Sequence, residues 1–150
     1  MTRLIGVDPG LSGALVVLDN NEPVEWELMP VMKVGTQNRV NGAAVYAFIA
    51  ASRCEHVYIE SVHAMPKQGV SSTFNFGHAA GVVEGVVAAM SLPYTLVTPQ
   101  YWKKHAGLIG TEKDAARARA IQLWPKWKEI HKKIKGQAYA DAALIARYGL

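Results

Sequence analysis

Cysteine is almost absent from the sequence: Cys54 stands alone. A lone thiol excludes a disulfide framework within the chain and any cysteine-rich zinc site. Its position near the end of a predicted helix gives it a packing role. Long apolar runs are missing too. The longest, Ala79 to Met90, is interrupted by Glu84 and is too short to span a bilayer. No leader-like segment precedes the first predicted strand, so a soluble protein of the cytoplasm is expected. Repeats, low-complexity tracts and linkers are also lacking. Acids are outnumbered, 12 Asp and Glu against 16 Lys and Arg, and the net charge of +4 permits a polyanionic partner without requiring one.

What is present is an ordinary globular balance. Over 150 residues, 50% are hydrophobic and 19% charged, which is enough for one domain with a substantial core. The organising stretch is Leu4-Ile5-Gly6-Val7-Asp8-Pro9-Gly10-Leu11-Ser12-Gly13-Ala14. An apolar run delivers Asp8 to a strand end, and Pro9-Gly10 turns the chain at once. Ala14 to Leu18 then returns alongside. Gly6 and Gly13 suit positions where another backbone or a ligand comes close.

The periodicity predicts hairpin strands near residues 3–8 and 13–19, then a third strand from Pro23 to Met29 whose polar face places it at the sheet edge. Residues 30–40 read as an irregular connection with Lys33, Gln37 and Arg39 solvated. Asn41 caps a helix from Gly42 to Arg53, and His56 to Glu60 forms a short strand. Met65 to Val70 is an exposed loop, after which Ser71 or Ser72 caps the longest helix, Thr73 to Met90. A fifth strand runs from Pro93 to Val97, and Thr98-Pro99 opens a helix to about His105. Another helix is expected from Thr111 to Leu123. A basic segment, Lys126 to Lys135, leads to a last helix from Gln137 to Tyr148. Three antiparallel strands followed by strand–helix units make a mixed five-stranded α/β sheet of the ribonuclease H kind, flanked by helices.

Three carboxylates then come from three elements. Asp8 ends the first strand, Glu60 ends the fourth, which pairs beside the first, and Asp141 sits on the final helix. Gathered acids repel one another, and a hard divalent cation is their natural neutraliser. Two Mg²⁺ ions about 3.5–4 Å apart can activate a water and stabilise the leaving oxygen of a phosphodiester. Each acid also has a simpler reading. Asp8 can form a turn, Glu60 can be a strand-end surface charge, and Asp141 can pair with Arg147.

Five segments in order bear on that choice. Ile5-Gly6-Val7-Asp8-Pro9-Gly10 resembles the opening of the RuvC-type Holliday junction resolvases, and Tyr58-Ile59-Glu60-Ser61-Val62 is similar to their second acidic motif. Phe76-Gly77-His78-Ala79-Ala80-Gly81-Val82 resembles the central helix of that family. Ile109-Gly110-Thr111-Glu112-Lys113 resembles its basic loop-to-helix motif, and Ala140-Asp141-Ala142-Ala143-Leu144-Ile145-Ala146 its final acidic helix. The resemblance spans nearly the whole chain. It implies a homodimer that binds four-way DNA junctions and nicks opposed strands symmetrically, with Asp8, Glu60 and Asp141 as ligands of two Mg²⁺ or Mn²⁺ ions. It also implies work in the bacterial cytoplasm, and the compact form suggests a phage-encoded member. One departure stands out. The family adds a fourth acid about one helical turn before the last aspartate, where this chain has Gln137 and Ala138.

By the same resemblance, the loop after Glu60 meets the junction centre, where Met65 can wedge against bases and Lys67 can meet phosphate. Lys113, expected just inside a helix N-terminus, is the best phosphate candidate. Lys103 and Lys104 follow, although neighbours on a helix point in different directions. Phe74 and Phe76 are assigned to packing, in the core or a dimer interface. Arg117 and Arg119 read as solvated, and so do the lysines from Lys126 to Lys135, set around the packed indoles Trp124 and Trp127; a DNA arm is the alternative for that run. His105 and His131 stay outside the catalytic set. The rivals are a nuclease of the same fold acting on other branched DNA or structured RNA, as in YqgF-type proteins, and a non-catalytic junction-binding module. Actin-like ATPases and sugar kinases need two such domains, for which the chain is too short.

Overall fold

The computed structural model describes residues 2–149. Its main sheet is built on β1 (Arg3–Asp8), β2 (Ala14–Asp19) and β3 (Glu22–Leu28), joined as antiparallel neighbours. Two further strands, β6 (His56–Glu60) and β7 (Tyr94–Val97), extend it in parallel beyond β1, giving the order β3-β2-β1-β6-β7. Both faces of β1 and β2 are covered, and their near-continuous apolar sequences follow from that. β3 lies at the edge with alternating exposure, as its charged positions require.

Helices close the two faces. On one, α1 (Gly42–Ser52) and α2 (Val70–Ala89) cover Ile5, Val7, Leu15, Val17, Val57 and Ile59. Cys54 packs there, buried and unpaired. On the other, α3 (Pro99–Ala106), α4 (Ala115–Leu123) and α5 (Lys133–Tyr148) cover Leu4, Val16, Leu18 and Tyr58. Alternate residues of a strand face opposite sides, so Leu4 and Ile5 belong to different cores. Gly6 lets α5 in: a Cβ there would run into the Ala142 carbonyl and Ala146. Among the described residues, no helix is long and apolar enough to cross a membrane.

Four expectations need correction. Residues 30–40 are not irregular; β4 (Val31–Val34) and β5 (Gln37–Val40) form a separate two-stranded sheet turning at Gly35, where φ is +63°. α2 begins at Val70 behind Gly69, without a serine cap, because the Ser72 hydroxyl is engaged by the Gln68 amide. α4 begins at Ala115, because the Thr111 hydroxyl and N–H both turn back to the Leu108 carbonyl and close a turn instead of opening a helix. α5 begins a turn early, at Lys133, after a short 3₁₀ turn over Lys128–His131. By contrast, the Asn41 and Thr98 caps form as expected, accepting from the N–H groups of Ala44 and Tyr101.

Candidate active site

Parallel pairing sets Val7 beside Ile59, so β1 and β6 release Asp8 and Glu60 from the same end of the sheet. The turn after Asp8 is tight. The Gly13 N–H donates to the Gly10 carbonyl at 2.9 Å, and a side chain at Gly13 would strike the Asp8 backbone. Asp141 arrives from α5, held against β1 through Gly6.

Each carboxylate has a fixed partner. The Gly10 N–H donates to Asp8. The Trp102 indole N–H, on a side chain only 1% exposed, donates to Glu60 Oε2 at 2.7 Å. The Gln137 amide donates to Asp141 Oδ1 at 3.1 Å. Burial raises all three acids above their usual range. For Asp141, the charges of Asp8 and Glu60 add to burial and push its pKa up to about 7. The three acids thus act on one another, Asp8 also serves the turn through Gly10, and Asp141 is tied to Gln137.

Cations meet this site from two sides. Lys113 draws Asp8 downward, and Lys103 does the same for Glu60 and Asp141. One cleft is lined by Asp8, Phe76, Lys113, Lys133, Ile134 and Asp141; its neighbour is lined by Glu60, Trp102, Lys103, Ile109, Lys113 and Asp141. Lys113, Gln137 and Asp141 line both, at the seam of one groove. Lys113 reaches it from the turn before α4, not from inside the helix.

The other candidates stand apart. Lys104 is exposed outside the groove, although next to Lys103 in α3. Met65, 60% exposed, and Lys67, with φ at 67°, occupy the loop before α2 and do not line the acid cleft. His105 stacks on Tyr101, with ring centroids 4.3 Å apart. Arg117 and Arg119 are not merely solvated: Arg117 clasps Asp114 and the Ile130 and His131 carbonyls, and Arg119 reaches the Tyr148 hydroxyl. Arg39 lies over the Phe74 ring, 5.8 Å from its centroid, and not free in solvent.

Sequence reasoning passed over Phe76, Trp102 and Ile134 as groove residues, and reached Lys133 only through the alternative of a DNA arm. Trp102 lies 42 positions from Glu60, and no local spacing connects them. Gln137 and Asp141 are four apart on a helix, a spacing at which side chains meet, so that contact was legible.

The donor set fits a hard divalent cation in kind: three partly buried carboxylates whose charges repel one another. Among the described residues, no three His, Cys, Asp or Glu side chains are gathered closely enough to hold a metal ion as they stand. Glu60 is hydrogen-bonded to the Trp102 indole and Asp141 to the Gln137 amide.

No protein-family model and no curated protein matches the sequence. Solved structures do. A structure of Thermus thermophilus RuvC in complex with Holliday junction substrate matches with a TM-score of 0.72 at 17% identity, over 97% of this chain and 90% of that one. The fold is that of RuvC. A second Thermus thermophilus RuvC structure matches with a TM-score of 0.62 at 17% identity, covering 99% of this chain and 97% of that one. The mixed five-stranded sheet with its flanking helices is therefore the RuvC arrangement, of the ribonuclease H-like kind.

Proposed function

We propose that this chain is a divalent-metal-dependent endonuclease that resolves four-way DNA junctions as a homodimer. The observation that carries the reading is the mutual electrostatic elevation of Asp8, Glu60 and Asp141 in a groove flanked by Lys103 and Lys113. Support also comes from the fold shared with a RuvC whose structure contains a Holliday junction substrate.

Asp8, Glu60 and Asp141 would hold Mg²⁺ or Mn²⁺, which when bound supplies an activated water and charge stabilisation at a phosphodiester. Trp102 and Gln137 fix the orientation of two of these acids. Lys103, Lys113 and Lys133 contact the DNA backbone, which positions the strand without reading its sequence. Two features of α2 support dimerisation. Gly77, Gly81 and Gly85 face open space, and Phe74 on the same helix is 62% exposed. A second copy of the chain would bury that face.

The test is cleavage of a synthetic four-way junction and of linear duplex in Mg²⁺, Mn²⁺ or EDTA. Paired nicks confined to the junction and abolished by EDTA are expected. Asp8→Asn should keep junction binding and lower cleavage at least about a thousandfold, the scale of losing a central catalytic group. Unimpaired cleavage by that variant removes Asp8 from the mechanism. Tight junction binding without nicks in either metal would favour a binding module, the outcome to which Ala138 at the family's acidic position points.

A further inference from the structure

The β4–β5 hairpin springs from the end of the sheet that carries the acids. Asp8 pairs with Ala14 and Ala14 with Leu28, so β3 finishes level with Asp8, and β4 follows after Met29 and Pro30. Two backbone bonds fix its base. The Met29 N–H donates to the Gly13 carbonyl at 2.9 Å, and the Asn41 N–H to the Pro30 carbonyl at 2.8 Å. Arg39 pairs with Met32 across the hairpin and rests over Phe74 of α2. Gly10, Ser12 and Phe76 line the cleft of Asp8 and also a polar hollow beside it, with Gln68, Ser72 and Asn75. Cleft, hollow and hairpin are thus successive neighbours. The charge is of one sign: no Asp or Glu occurs between Glu27 and Glu55, while the hairpin holds Lys33 and Arg39. Among the described residues, neither cation has an ion-pair partner.

We propose that the β4–β5 hairpin is a second DNA-binding element, a ribbon that lies along one duplex arm of the substrate and sets that arm relative to the acids. The assignment rests on the nuclease reading above and names a surface that holds DNA beyond the cut. Exposed Lys33 contacts phosphate, and the exposed amides of Gln37 and Asn38 donate to the same backbone. Arg39, seated on the Phe74 ring, braces the ribbon against α2 and adds its charge. A two-stranded ribbon has the width of a major groove, and its exposed Val31, Met32 and Val34 suit thymine methyls there. Charge favours DNA over a second hairpin as the occupant. Two hairpins paired about a two-fold axis would each bring Lys33 and Arg39, with no acid on either to offset them.

The experiment measures four-way junction binding in EDTA across a salt series. The variants are Lys33→Gln, Arg53→Gln, and a shortened hairpin in which Asn-Gly replaces residues 33–38. That dipeptide suits a two-residue hairpin turn and leaves Met32 and Arg39 as the last rung. Arg53 is the control: it belongs to the same acid-free segment but is exposed beyond α1, beside the Ser52 carbonyl that binds Arg3 at the far end of β1. Lys33→Gln should weaken binding about fivefold at about 0.1 M salt and lower the salt slope by about one, and Arg53→Gln should do neither. The shortened hairpin should lose hydroxyl-radical protection along one duplex arm while keeping it at the cut phosphates. Wild-type affinity and slope in Lys33→Gln overturn the ribbon and leave the nuclease reading in place. An equal loss in Arg53→Gln reduces the effect to net charge and overturns it as well. So does a shortened hairpin that sediments as one chain where the wild type sediments as two. A wild-type chain that neither binds nor cuts any junction overturns both readings.

Discussion

Two helices rich in small residues, α5 and α2, meet opposite fates. Of sixteen residues in α5, nine are buried, from Gly136 through Ala146. Of twenty in α2, only Ala79, Val83 and Val87 are buried. In α5, alanine and glycine permit close approach: the helix presses onto Gly6, and Gly136 abuts the Ile130 backbone. In α2, glycines look onto open space. Small residues therefore mark a contact already made in one helix and a surface still free in the other. The same distinction separates the helix that carries Asp141 from the one assigned to a partner copy.

Gly6→Ala tests the made contact and should have the largest effect. The added methyl meets helix backbone that cannot yield, so a loss of more than about 3 kcal/mol is expected in urea denaturation. A variant that melts like the wild type would break the account of how α5 is seated.

Asp141→Asn sharpens the comparison from the charged side of α5. With the carboxyl raised from 3.8 to about 7, the native protein binds more protons than the unfolded chain between those values. In EDTA, stability should therefore fall as pH rises from about 4 to about 7, and Asp8 and Glu60 shift in the same sense. Asparagine can still accept from Gln137 but carries no charge. It should flatten the slope and raise stability at pH 8 by a few kcal/mol, while cleavage is lost. Thermal melts against pH check this; an unchanged slope would mean that the repulsion is relieved elsewhere.

The smallest effect is expected on α2. Gly81→Ala fills open space in a helix interior and should stabilise a dilute, monomeric sample by about 0.5–1 kcal/mol. Gly81→Leu should instead reduce the sedimenting mass to that of one chain. If the leucine variant still sediments as a dimer, the pairing face lies elsewhere.

Much of this was legible because it is local. The Asp8 hairpin, the two helix caps and the partnership of β1 with β6 follow from short-range patterns and topology. The hairpin over residues 31–40 was not, because it lacks strong alternation: every residue of β4 is exposed, and in β5 only Val40 is buried. The three acids were identified from strand ends and a helix face, but their partners came from distant segments. Ile134 was hidden in a basic run that reads as solvated charge, and Phe76 by a helical spacing that reads as packing. Both required the third dimension, which brings them into one cleft with Asp8 and Asp141.

The Trp102–Glu60 hydrogen bond makes the site an optical reporter. Indole emission responds to a charge at its N–H, and Trp102 is the tryptophan that touches an acid of the groove. Trp26, Trp124 and Trp127 cluster beside the β2–β3 turn, at the opposite end of the sheet, and supply a constant background. Whatever draws Glu60 away from the indole should therefore change the colour of the unlabelled protein's own fluorescence.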